Sequence, residues 1–224
     1  MNSLSASPNN PRSSRFDRGI VSSDANVLAS VYEGEINLAI WRRTLSSKLK
    51  KSVSAVLESE HNLRTSIIVS PINAHQLLSK ELASKSKYNA LTNDISDLVD
   101  MFCCLFDLEA VGLRLASLEQ PMCPRFHIDH VPCRLITTYQ GDATEWIPDH
   151  LVDRSKLGAG NQGLPDQQSG IFQSPAHIQH LMAGDVALLK GESWDGNENG
   201  GLVHRSPTLK NKQQRLILTL DFYN

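Results

Sequence analysis

Along the chain the spacing of apolar positions changes twice, and each change marks a different kind of element. Residues 1–24 are rich in Ser, Asn, Pro and Arg with almost nothing to bury, which predicts a disordered leader. Ile36, Leu38 and Ile40 then alternate with Asn37, Ala39 and Trp41, the period-two signature of a strand over 35–41. From residue 45 the period lengthens. Leu49, Val53, Val56 and Leu57 share one face of a helix, with lysines on the other. Ser70-Pro71 predicts a helix start, an N-cap followed by proline in the first turn, with Leu77, Leu78 and Leu82 as its buried stripe. Leu91, Ile95, Leu98, Val99, Phe102 and Phe106 carry the helical period to about 108.

Beyond 110 the pattern shortens again. Val111, Leu113 and Leu115 alternate, as do positions in 133–139, and short apolar runs follow at 186–190, 202–204 and 215–222. Polar, glycine-containing loops at 156–170 and 195–201 separate them. Short strands and long loops after a helical block predict an α+β fold. Its core would be a double-stranded β-helix (a jelly-roll, cupin-like barrel) over 111–224, buttressed by a mainly helical part over 25–110. No flexible linker interrupts 108–120, so the two parts are expected to form one integrated unit.

Charge narrows the partners. Twenty-two basic and 24 acidic residues leave a formal charge of −2, which gives no electrostatic reason to expect nucleic acid or an anionic membrane. No run approaches the roughly 18 apolar residues of a membrane span, and the first twenty residues have no secretory apolar core, so a cytoplasmic location is expected. Cys103, Cys104, Cys123 and Cys133 form no C-x-x-C pair. The first two sit in an apolar run as small buried hydrophobes, whereas Cys123 and Cys133 flank the segment that carries the chemistry.

That segment is Phe126-His127-Ile128-Asp129. On a strand His127 and Asp129 point the same way, so one metal can take both. His204 follows 75 residues after Asp129, and Arg215 stands eleven residues beyond it. Two imidazoles and one carboxylate cover one side of a metal and leave three positions open, the donor set of non-haem Fe(II) oxygenases. In the last strand Leu216, Leu218, Leu220 and Phe222 fall on one face, towards the helices; Arg215, Ile217 and Thr219 fall on the other, towards a cavity. An inward guanidinium needs an anion. The carboxylate of a 2-oxo acid would supply it, with a protein salt bridge as the alternative. Tyr139 shares the parity of His127 and Asp129 if Pro132 leaves the register intact, which would place its hydroxyl on the same co-substrate or, equally, in the core. Arg205 has the parity opposite His204 and reads as structural or as a contact at the rim; Thr144-Glu145-Trp146 and Trp194 lie in loops beside the strands.

The H-x-D … H … R order over 111–222 resembles the 2-oxoglutarate/Fe(II)-dependent dioxygenase superfamily. That resemblance implies His127, Asp129 and His204 as iron ligands, Arg215 at the 2-oxoglutarate carboxylate, and hydroxylation or demethylation of an unspecified small-molecule or protein substrate. More narrowly, Cys123-Pro124-Arg125-Phe126-His127, Asp129-His130-Val131-Pro132, Thr138-Tyr139-x-Gly141, Thr144-Glu145-Trp146 and His204-Arg205-Ser206-Pro207 are similar to a bacterial family of unknown function, over most of the chain including 37–43. Members of that family sometimes carry a desuccinylase label, but none of the eight histidines here has Glu at +3, as that zinc chemistry requires. The same family's association with zinc homeostasis implies a second possibility: a non-enzymatic cupin-like protein holding zinc, with His130, Cys123 or Cys133 as a fourth ligand.

Overall fold

A computed structural model describes residues 14–60, 62–83, 85–209 and 214–223. In chain order the elements are β1 (Ser14–Phe16), β2 (Gly19–Ser22), a 3-10 stretch (Ala25–Tyr32), β3 (Leu38–Trp41), α1 (Ser47–Ser59), β4 (Arg64–Val69), α2 (Ala74–Glu81) and α3 (Asn89–Phe106). Then follow β5 (Val111–Leu118), β6 (Cys133–Gln140), β7 (Glu145–Trp146), α4 (Asp166–Ser169), β8 (Gln179–His180), β9 (Val186–Lys190), β10 (His204–Arg205) and β11 (Arg215–Phe222). The fold is mixed α+β, built on an eight-stranded sheet in the order β1-β2-β3-β9-β6-β11-β5-β4. Only the β2–β3 pair is parallel. A second, three-stranded sheet runs β10-β7-β8, and His127 bridges to His204 along its edge.

The central strands of the main sheet are buried on both faces, and the alternation along β11 decides what meets what. Leu216, Leu218 and Leu220 join Leu113, Leu115 and Leu135 against the helices, among Val53, Ile95, Leu98 and Phe102. Ile217 joins Ala116, Ile136 and Leu189 on the opposite face, against Trp146, Leu181 and Leu202 from the second sheet and its loops. Burying one such side chain stabilises the fold by about 1.5–3 kcal/mol, so a one-residue slip of β11 would forfeit several of these contacts at once. The register of β11 shifts against β6 between Leu216, opposite Gln140, and Ile217, opposite Thr138.

Two expectations need correction. Residues 14–22, expected in the leader, form β1 and β2; residues 1–13 lie outside the described residues. The short apolar step Ile20-Val21 suffices because β2 pairs with β3 while Arg18 bonds the carbonyls of Glu35 and Gly200 and the side chain of Asn197. The part over 25–110 carries the expected helices and, as β3, the expected strand, but also supplies the edge strand β4 to the main sheet. Among the described residues no helix is long and apolar enough to cross a membrane.

The helices are also fixed to the sheet by a polar cluster. Asp94 on α3 accepts two bonds from Arg43, at 2.6 and 2.9 Å, and one from the Tyr139 hydroxyl at 2.7 Å. Arg43 and Asp94 are largely buried, at 13% and 17% side-chain exposure, so removing one leaves the other without its opposite charge in a poor solvent. Asp94→Ala should cost about 3 kcal/mol in urea unfolding. Tyr139→Phe, which removes one neutral donor, should cost about 1 kcal/mol. Equal losses for the two would show that the ion pair is not what Asp94 contributes.

Candidate metal centre

His127, Asp129 and His204 converge although they come from two segments far apart in the chain. His127 and His204 exchange backbone hydrogen bonds, each N–H donating to the other's carbonyl at 3.0 Å. Their rings lie with centroids 4.6 Å apart. One ligand atom from each of the three residues lies within 4.8 Å of the others, and among the described residues this is the group of His, Cys, Asp and Glu able to hold a metal ion. Asp129 Oδ2 is 3.4 Å from His204 Nε2, and Asp129 Oδ1 is 3.7 Å from His127 Nε2. Adjacent ligands at about 2.1 Å from one metal would lie roughly 3 Å apart, so a small inward movement closes the site.

Protonation favours the same use. His127 Nδ1 faces the Arg125 carbonyl at 2.9 Å, and His204 Nδ1 faces the Leu202 carbonyl at 3.1 Å. A carbonyl only accepts, so each Nδ1 carries the hydrogen and each Nε2 of a neutral ring offers its lone pair towards Asp129. Burial, with His204 adding to it, pushes His127 below the ordinary histidine range and keeps it neutral at pH 7. Burial alone would raise the Asp129 carboxyl. Its contacts with His204, then with Arg134 and His127, outweigh burial and hold the group well below the usual carboxylate range.

Arg134 was not singled out in the sequence, and it anchors the centre. Its Nη1 donates to Asp129 Oδ2 at 2.8 Å, while Nε and Nη2 grip Asp221 of β11 at 2.6 and 3.0 Å. The available signal was an arginine inside an apolar strand, on the parity of β6 that faces away from the helices. Gly191 is the second support. A Cβ there would lie 2.0 Å from the Val131 carbonyl and 2.8 Å from that of Asp129, so only glycine lets this loop press on the ligand segment. The Glu192 N–H then donates to the Asp129 carbonyl at 2.9 Å.

Arg215 lies at the start of β11 with 1% of its surface exposed. Its Nη2 donates to Thr138 Oγ1 at 3.1 Å and Thr144 Oγ1 at 3.0 Å, whereas Nε and Nη1 are buried and meet no acceptor. Burial pushes this guanidinium down to about 10, so it remains a cation at neutral pH. Gly141, at φ +89°, allows the turn after β6 to close on it; a Cβ there would be 3.0 Å from Arg215 Cα.

Tyr139 is not brought to this face. It points to the helices and bonds Asp94, because the chain passes from the second sheet at His127 to the main sheet at β6 through 130–132 and does not carry its alternation across. Thr138 takes the position instead. Arg205 is structural: it bonds Glu145 at 2.6 Å and Asp166 at 2.7 Å and covers the Phe126 ring. Cys133 is buried on the helical side, Cys123 is exposed, and His130 is turned outward to Glu192 at 3.0 Å.

A family model described as a protein of unknown function, DUF1826, matches residues 22–221. No curated protein matches the chain. Among solved structures the chain is similar to a Pseudomonas putida prolyl-4-hydroxylase, at 11% identity, covering 89% of this chain and 99% of that one with a TM-score of 0.45. It is also similar to an oxidoreductase of the 2OG-Fe(II) oxygenase family from Burkholderia pseudomallei (10% identity, 88% of each chain, TM-score 0.43). A third is HygX from Streptomyces hygroscopicus with iron bound (10% identity, 83% and 82%, TM-score 0.43).

If Arg134 holds Asp129 in its ligating position, Arg134→Ala should weaken divalent-metal binding by about 10–100-fold, the usual effect of losing a group that orients a ligand. Cobalt(II) titration followed by its visible absorption would read this directly. An unchanged affinity would reduce Arg134 to a strut between β6 and β11.

Proposed function

The chain belongs to the DUF1826 family of proteins of unknown function, and we propose that it is an Fe(II)- and 2-oxoglutarate-dependent oxygenase, a hydroxylase or demethylase built on a double-stranded β-helix. The observation that carries this reading is the cation Arg215, buried with two unused nitrogens on the same side of the main sheet as a three-residue His/Asp/His centre. A buried guanidinium left in this state is unfavourable by several kcal/mol, and a carboxylate accepting from Nη1, at the end of the guanidinium, would relieve it. A three-residue donor set that leaves positions open suits a chelating 2-oxo acid.

The course of the chain supports the barrel. From β5 onward it alternates between sheets: β5 in the main sheet, His127 on the second, β6 in the main, β7 and β8 on the second, β9 in the main, β10 on the second and β11 in the main. The central order is then β9-β6-β11-β5 facing β8-β7-β10 and the His127 segment, two four-membered layers wound by one chain.

With Fe(II) and 2-oxoglutarate bound, the cofactors supply oxidation of a C–H bond by oxygen, with 2-oxoglutarate converted to succinate and carbon dioxide. The protein's part is positional. His127, Asp129 and His204 would hold the metal on one side. Arg134 keeps Asp129 Oδ2 occupied and aims the carboxylate. Arg215, steadied by Thr138 and Thr144, would take the far carboxylate of the co-substrate. Ile136, Ile217 and Leu189 keep water from the interior between the sheets.

Anaerobic addition of Fe(II) and then 2-oxoglutarate to metal-stripped protein should produce a saturable visible charge-transfer band, absent in His127→Ala. Iron that binds without any band on adding 2-oxoglutarate would overturn the reading and favour the zinc-holding alternative. Arg215→Gln should still bind iron but need about a hundredfold more 2-oxoglutarate for half of the band, the scale of losing a charge-assisted contact in a buried site. An unchanged requirement would assign Arg215 to structure.

A further inference from the structure

Four glycines in residues 191–201 make the loop that leads into β10 compliant, so whatever holds this loop also holds His204. Asn197, 3% exposed, closes the loop internally: its Nδ2 donates to the Gly191 carbonyl at 3.0 Å, and its carbonyl accepts the Gly200 N–H at 2.8 Å. At its end the loop presses on the ligand segment. A Cβ at Gly201 would lie 2.4 Å from Cγ2 of Ile128, the residue between His127 and Asp129, so no side chain can anchor the loop from that position.

The anchors reach its carbonyls from outside. Gly200 accepts from Arg18 Nη1 and from Asn37 Nδ2, both at 3.0 Å, and Gly201 accepts from Arg154 Nη2 at 2.9 Å. Arg18 has the widest hold. Its Nη2 also donates to Asn197 Oδ1 at 2.8 Å, and its Nε donates to the Glu35 carbonyl at 3.0 Å. One guanidinium thus grips both the internal clasp of the loop and its last turn. The approach is close: a Cβ at Gly200 would lie 2.6 Å from Arg18 Nη1. Arg18 itself stands in the turn between β1 and β2, and β2 pairs with β3 within the main sheet. Beyond Gly201 the chain carries this reference to the metal centre. The Leu202 N–H donates to the Lys190 carbonyl at 3.0 Å, and the Leu202 carbonyl faces His204 Nδ1 at 3.1 Å. A shift of Gly200 and Gly201 would therefore move the acceptor that fixes the His204 tautomer and the aim of its Nε2.

We propose that Arg18 is a positioning residue for the metal centre: it touches no ligand, but it holds the loop over 197–202 so that His204 meets the metal beside Asp129. Its two bonds into the loop are charge-assisted, roughly twice as strong as the neutral bond from Asn37 to the same Gly200 carbonyl. The strand pair β1–β2 at the edge of the main sheet thereby takes part in building the site. This inference rests on the metal site proposed above.

The test is a cobalt(II) titration of the full-length, metal-stripped protein, followed by visible absorption. Arg18→Gln should weaken cobalt binding about tenfold, the scale of one charge-assisted hydrogen bond, and should shift the visible band at saturation because His204 meets the metal at a different angle. Added to His204→Ala, the same substitution should cause no further loss, since the residue it acts through is gone. Should Arg18→Gln not fold, Arg18→Lys carries the same two comparisons. An affinity and band unchanged by the Arg18 substitution overturn the proposal, and so does a further tenfold loss in the His204→Ala background, which would mean that Arg18 acts by another route. If the unaltered protein gives no cobalt band, the metal reading itself fails and this inference with it; a band that the Arg18 substitution leaves as it was removes this inference alone.

Discussion

Strand β11 is covered on both faces, and a strand so placed tolerates charge only where an opposite charge or a ligand meets it. Its helix-facing positions are all apolar. Its other face carries Arg215 at one end and Asp221 at the other, with Ile217 and Thr219 between. Asp221 is matched within the fold by the Nε–Nη2 edge of Arg134. Arg215 has no carboxylate in hydrogen-bond contact: two threonine hydroxyls satisfy one of its three nitrogens, and Asp142 and Glu145 act on it only through their charge. The same constraint that makes β11 an unambiguous core strand makes its first residue the group we propose for the co-substrate.

Asp221 extends that constraint to the metal centre. Arg134 is held by Asp221 along one edge and reaches Asp129 with the nitrogen left over, so the position of a proposed metal ligand is referred to the middle of the main sheet. His204 and His127 are fixed differently, by the backbone pair between them and by carbonyls two residues earlier in the chain. A site assembled in this way needs little help from side-chain packing to select its tautomers. Its precision comes from backbone bonds and one bidentate ion pair, both stiffer than a loop would be.

The alternation of β5, β6, β9 and β11 was legible in the sequence because these strands have two apolar faces or one uninterrupted period. So were the three helices, and so was the convergence of His127, Asp129 and His204, although the expected strand there is, among the described residues, a single bridge from His127 to His204. Strand β4 was missed: its Arg64-Thr65-Ser66 start is polar, and only Thr65, Ile67 and Val69 turn inward. The two-residue strands β7 and β8 are too short to show a period at all. The expected helix start at Ser70-Pro71 came three residues early, because Asn73 accepts the Ser70 N–H and holds 70–73 as a turn before α2. Parity failed for Tyr139 for a more general reason. Alternation is a property of one strand in one sheet, and 130–132 is where the chain changes sheets.

Charged residues on inward parities carried more information than the histidines did. Arg134, Arg215 and Asp221 all interrupt apolar faces, and each ends in a partner that bears on the site or in none. Arg205 satisfies the same description, yet both its bonds are to carboxylates of the fold, so it holds α4 and β7 around Phe126 and binds nothing. Satisfaction, not position, separates the two kinds of arginine. A guanidinium whose donors are all used is part of the scaffold. One with buried donors to spare, as in Arg215, is the kind on which our proposed co-substrate site rests.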